Sequence, residues 1–171
     1  MTPEQKNLIM GLTTAPNQER QISSEDFLHR FGANDGKLLG LHLLRSALDQ
    51  RDRVDVELAL IVCFTFGFTK EHLPALLELA SAEWHISHED VIRALDFLRS
   101  PAAVDVLYQA TQWIPSYLEF DETRALAVKA IRALGKIPDV EAERALRRLV
   151  DSEDSIISDR AKKELARHST H

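Results

Sequence analysis

The side chains that could do chemistry in this chain are few. His85-x-x-His88-Glu89-Asp90 gathers two imidazoles and two carboxylates, the donor types that hold a transition metal. It lacks the HExxH spacing, in which two histidines one helical turn apart share a face with a general-base glutamate. Arg144, Arg147 and Arg148, taken with Trp113 and Asp105, have the composition of a phosphate and base contact set. All three arginines, however, fall on one turn of one helix. Glu141 and Glu143 stand at ion-pairing spacings from Arg144 and Arg147, which reads as a solvated helix face. Cys63 is the only thiol and lies in the apolar run at residues 54–68, so no internal disulfide can form and an inert core position is expected. A Gly-rich phosphate loop, a GxSxG turn and a Cys/His pair of catalytic spacing are all absent from the sequence. The expectation is a chain that is not an enzyme, with no catalytic residues, no metal and no cofactor.

The elements that would position these residues are helices in a repeating order. Val/Ile/Thr runs of period two are absent, and only six glycines and six prolines occur, which argues against strands. A template of apolar-x-x-Ala-apolar-x-x-apolar fits Val56, Ala59, Leu60 and Cys63, then Val91, Ala94, Leu95 and Leu98, then Ala127, Ala130, Ile131 and Leu134. Ala161 and Leu165 begin a fourth copy, and the four alanines are 35, 36 and 31 residues apart. Leu43, Leu76, Leu107 and Leu146 keep similar step as second helices, at offsets of 33, 31 and 39 residues, the last lengthened by an insertion at residues 113–120. Such a period marks a stacked helical array. The expected caps are Thr2, Ser24, Asp35, Thr69, Ser87, Ser100 and Asp121, with residues 13–19 read as loop.

At these residues the sequence resembles the HEAT-like repeats of the bilin-lyase type, over roughly residues 25–167. The resemblance implies an all-α fold, an α-solenoid of about four to five helical hairpins in a single domain, with residues 1–22 as cap helix and loop and 23–168 as repeats. It does not imply bilin-lyase activity, since nothing marks a chromophore site. Among enzymes with such repeats, His88-Glu89 resembles the His-Glu pairs with which deoxyhypusine hydroxylases hold iron. That likeness implies pairs from several repeats, and the corresponding positions here are Val54-Asp55, Glu122-Thr123 and Ser155-Ile156, so the ligand set is missing. The arginine set is similar to the basic concave face of helical-array DNA glycosylases, but acidic preceding units interrupt any phosphate track.

Charge narrows the partner. The net charge is −6, and residues 51–120 carry 5 basic against 11 acidic side chains while the flanking segments are nearly balanced. An acidic centre disfavours nucleic acid and favours a basic protein. The apolar run near residues 58–68 is about half of the roughly 20 residues a membrane span needs, and the first twelve residues lack a basic region before a long apolar core; a cytoplasmic chain without membrane attachment is expected.

Repeat geometry places the turns at residues 84–86 and 113–120 on one edge, although they are far apart in sequence. Trp84, His85, Trp113, Tyr117 and Phe120 should therefore gather there, with the acidic Glu78, Glu83, Asp105 and Glu119 on the adjoining units, a composition suited to gripping a partner. Through the segments TrpHisIleSerHisGluAspVal (84–91) and AlaLeuGlyLysIlePro (133–138), the chain also resembles the HEAT-like immunity proteins of bacterial polymorphic toxin systems. That resemblance implies inhibition of a cognate toxin domain by direct binding. A non-inhibitory scaffold or adaptor is the alternative.

Overall fold

In the computed structural model, residues 1–13 and 21–168 are described, and they form ten α-helices and three short 3₁₀ turns with no strand among them. Apart from Thr13, the expected loop at 13–19 lies outside the described residues. None of the described helices is long and apolar enough to cross a membrane. The chain divides into two compact units, Met1–Ala75 and Leu76–His171.

In the first unit α1 (Pro3–Met10) starts with a reciprocal cap: the Thr2 hydroxyl accepts the Gln5 amide, and the Gln5 side chain accepts the Thr2 amide. Helix α2 (Ser24–Phe31) is capped by Ser23, one residue earlier than expected, whose Oγ accepts the Asp26 amide at 3.1 Å. Gly32 ends it at φ 75°, in the left-handed region that glycine enters without a Cβ penalty. Asp35 caps α3 (Gly36–Gln50), as expected. Asp52, within the polar break, caps α4 (Arg53–Phe66) by accepting the amides of Val54 and Asp55.

Helices α3 and α4 approach closely because α3 presents two glycines, one turn apart. A Cβ at Gly36 would lie 2.2 Å from the Phe66 ring, and one at Gly40 would lie 2.9 Å from Cys63 Sγ. Phe27 anchors the adjoining core among Ile9, Leu58 and Val62, with the Phe31 and Phe66 rings at 5.3 and 5.7 Å. Asp55 is buried. Burial alone would raise its pKa, but hydrogen bonds and charge from Lys6 (2.7 Å) and the Met1 ammonium (2.5 Å) outweigh it and hold the carboxylate ionised. Thr69 precedes a 3₁₀ turn (Lys70–His72) that leads into α5 (Leu73–Ala80). His72 is buried there, its Nδ1 accepting the Thr69 amide at 3.1 Å.

The second unit is a two-layer arrangement. Helices α6 (His88–Leu98), α8 (Ala125–Leu134) and α10 (Ser155–His168) pack side by side, while α7 (Val104–Gln112) packs on α8 and α9 (Val140–Val150) on α10. The template alanines Ala94, Ala130 and Ala161 are fully buried, as are Leu95, Ile131, Leu134, Leu107 and Leu146. Small residues at these positions let consecutive helices of one layer sit close together. Two ion pairs tie α6 to α8 and the turn after it, Glu89 with Lys129 and Asp96 with Lys136.

Three starts in the second unit depart from expectation. Ser100 and Pro101 open a 3₁₀ turn (Pro101–Ala103) before α7 instead of the α-helix itself. Ser87 precedes α6 but makes no side-chain cap, its backbone lying at φ −96°, ψ 23°. Asp121 does not cap α8 at the adjacent position. Its carboxylate reaches forward to the Ala125 amide at 2.7 Å, and Arg124 between them takes φ 52°. The left-handed turn is held by the Arg124 side chain, which donates to the Thr111 carbonyl at 3.1 Å and pairs with Asp154 at 3.0 Å. These contacts offset the roughly 1–2 kcal/mol cost of that backbone region.

Candidate functional site: a histidine-braced aromatic edge

The turn from α5 into α6 and the insertion after α7 meet within the second unit, and buried histidines join them. His85 and His88 are each 1% exposed, and their rings stack at 4.1 Å with 17° between planes. His85 Nε2 donates to the Leu79 carbonyl at 2.8 Å, while its Nδ1 accepts the Ser87 amide at 3.1 Å. His88 Nε2 donates to the Ala82 carbonyl at 2.7 Å, and its Nδ1 accepts from the Tyr117 hydroxyl at 2.9 Å. A carbonyl can only accept, so both imidazoles carry their proton on Nε2 and all four nitrogens are satisfied.

The electrostatics agree with neutral rings. Burial pushes the His88 pKa down from 6.5 to about 4, aided by the neighbouring His85 and opposed by the Ala82 carbonyl. Burial lowers that of His85 as well, against the pull of the Leu79 carbonyl. The Tyr117 hydroxyl is raised to about 12, chiefly by burial, so it remains a donor. With every nitrogen engaged, neither histidine has a lone pair free for a metal. Among the described residues no group of three or more His, Cys, Asp or Glu is placed to hold one.

Around this brace the aromatic residues are arranged by depth. Trp84 and Trp113 are half-buried and meet the imidazoles edge to face, Trp84 on His85 at 5.2 Å and Trp113 on His88 at 4.8 Å. Tyr117 lies over His88 with its ring at 5.6 Å and is 39% exposed, and Phe120 is 92% exposed. The spatial meeting of the two turns therefore holds. His85 does not belong among the contact residues: it is buried, and it supports the edge from beneath because both its nitrogens are used by the turn itself. Ile86 and Ile114, which carried no sequence signal beyond apolarity, are about half exposed on the same two segments.

The carboxylates separate. Glu78, Glu83, Asp105 and Glu119 are all exposed. Glu83 lines a groove with Val106, Gln109, Ala110, Gln112 and Trp113. Asp105 lies elsewhere, in a depression with Tyr108, Asp139, Glu141 and Arg148, whose guanidinium stands 5.4 Å from the Tyr108 ring. Glu78 and Glu119 line neither depression. On α9, Arg144 pairs with Glu141 and Arg147 with Glu143 at 2.5 Å, as their spacing suggests.

His88 does stand at the start of α6, but its burial and its bond to Tyr117 carried no signal in the local sequence. Its partner Tyr117 is 29 residues away, close to one repeat period, and that spacing is the available signal. No protein-family model matches the chain, and neither does any curated protein or solved structure compared with it.

Proposed function

We propose that this chain is a cytoplasmic protein-binding module of HEAT-like helical repeats that acts as an immunity protein, neutralising a basic bacterial toxin domain by covering it. The stacking of α6, α8 and α10 in one layer, with α7 and α9 in the other, supports the repeat reading. The binding reading is carried by one observation. Exposed Ile86, Ile114, Tyr117 and Phe120 project from two turns that a buried, fully hydrogen-bonded histidine pair holds in place. Apolar anchors presented on a braced support lose little freedom on binding, and aromatic anchors of this kind carry much of an interface's affinity. Exposed carboxylates at Glu83 and Glu119 flank them in sequence and would steer a basic surface.

The test is to co-express the chain with the product of the neighbouring gene, isolate the complex, and measure affinity and toxin activity for wild type and Phe120→Ala. Phe120 is almost wholly exposed, so its truncation leaves melting unchanged while affinity falls by about 2 kcal/mol, mainly through faster dissociation. Wild-type affinity in this variant refutes the edge as the interface. A bound but uninhibited partner makes the chain an adaptor instead.

A further inference from the structure

The groove beside Trp113 has a chemistry of its own. It is lined by Glu83 after the exit of α5 and by Val106, Gln109, Ala110, Gln112 and Trp113 from α7 and its end; Ala110 is buried and Val106 half-buried, whereas Glu83, Gln109 and Gln112 are exposed. Glu83 is exposed and has no cationic partner among the described residues, whereas Glu89, Glu141 and Glu143 in the same unit are each paired. The Gln112 amide nitrogen donates to Thr111 Oγ1 at 2.7 Å, and its amide oxygen has no partner among the described residues to compete with a donor from outside. One unpaired carboxylate, amide acceptors and an aromatic ring beside small apolar side chains together make a receptor for one long cationic side chain.

We propose that this groove receives an arginine side chain of the bound protein. The aliphatic stem would lie along Val106 and Ala110, and the guanidinium would meet Glu83 with its fork of donors while packing on Trp113. Arginine fits better than lysine because its planar head can pair with a carboxylate through two bonds and stack on an indole at once. The inference deepens the binding function proposed above, since it names the residue type the basic partner supplies.

The probe is a capped Gly-Arg-Gly peptide, titrated into the whole ¹⁵N-labelled protein, with lysine and citrulline peptides as comparisons. Citrulline keeps the shape of arginine but removes its charge. The arginine peptide is expected to move the Trp113 indole and the Gln109 and Gln112 side-chain amides saturably, leaving the Trp84 indole in place. Citrulline should give no saturable shift, lysine should bind several-fold more weakly, and Glu83→Gln should weaken the arginine response at least tenfold. Absence of a saturable shift, equal response to citrulline, or an unchanged response in Glu83→Gln would overturn the proposal. Its failure is separable from failure of the edge. A partner that loses affinity with Phe120→Ala but not with Glu83→Gln leaves the edge standing and removes the groove.

Discussion

Acidification should loosen the second unit, and His88 sets the window. In the folded chain this imidazole takes up its proton only near pH 4, while in the unfolded chain it does so near its ordinary value of 6.5. Between those limits the unfolded state binds a proton that the folded state does not, so stability falls as pH falls. It is fully present above about pH 6.5. A gap of this width, at about 1.4 kcal/mol per pH unit, amounts to about 3 kcal/mol lost by pH 4. His85, also lowered by burial and facing His88, adds to the loss with the same sign. The titratable groups facing His88 are His85 and the Tyr117 hydroxyl; Tyr117 in turn feels the Glu89 and Asp90 carboxylates, of which Glu89 is paired with Lys129. Carboxylates with lowered pKa, such as Asp55 and Asp121, lose their contribution only at lower pH, below the ordinary carboxylate range.

Urea unfolding followed by tryptophan fluorescence measures this directly, because Trp84 and Trp113 both sit against the two histidines. The transition midpoint should drop steadily from about pH 7 to about pH 4.5. His88→Gln should be less stable at neutral pH yet lose at least about 1 kcal/mol less over the same range. Tyr117→Phe keeps the titrating ring but removes the hydroxyl that donates to Nδ1, so it should cost about 1–2 kcal/mol at neutral pH and retain the slope. A midpoint that does not move between pH 7 and 4.5, or a His88→Gln protein as acid-sensitive as wild type, would refute the neutral buried pair.

Two further outcomes test the packing. Leu134→Ala empties a fully buried position on α8 and should lower stability by about 2–5 kcal/mol, read as a shift in denaturant midpoint at constant slope. Gly36→Ala places a methyl on the Phe66 ring in the first unit, so the helices must part. The expected loss is about 1–3 kcal/mol by circular dichroism melting, and an unchanged melting temperature would disprove the close approach of α3 and α4.

The helix layers were legible because their signal is local and repeated. The template alanines are buried in every copy, and caps such as Thr2 and Asp35 stand where an oxygen is needed beside free amides. Ser23 and Ser24 offer the same hydroxyl one residue apart, and only the chain's path chooses between them. Ser87 and Asp121 misled for a different reason. Both look like caps, but a local bond from the Ser87 amide to His85 and tertiary bonds from Arg124 to Thr111 and Asp154 set the backbone instead. The glycine pair on α3 was present in the sequence as an i, i+4 spacing and meant close approach, which leucines on the same helix obscured. The site was legible as a gathering of aromatic residues by repeat offset. The role of His88 was not, since a buried imidazole and a capping one look alike until the hydroxyl that faces it is known.

The contact between Gly40 and Cys63 also decides how the molecule can be handled. The thiol is fully buried against a helix that cannot back away, and burial pushes its pKa up to about 12, so almost no thiolate is offered to a reagent in the folded state. Alkylation then proceeds only through opening of α3 from α4. A cysteine introduced at exposed Ser116, on the insertion, would be modified selectively while the native thiol is left in place. A single dye or spin label could thus report the edge in a protein otherwise unaltered, with no need to replace a residue on which that helix contact closes.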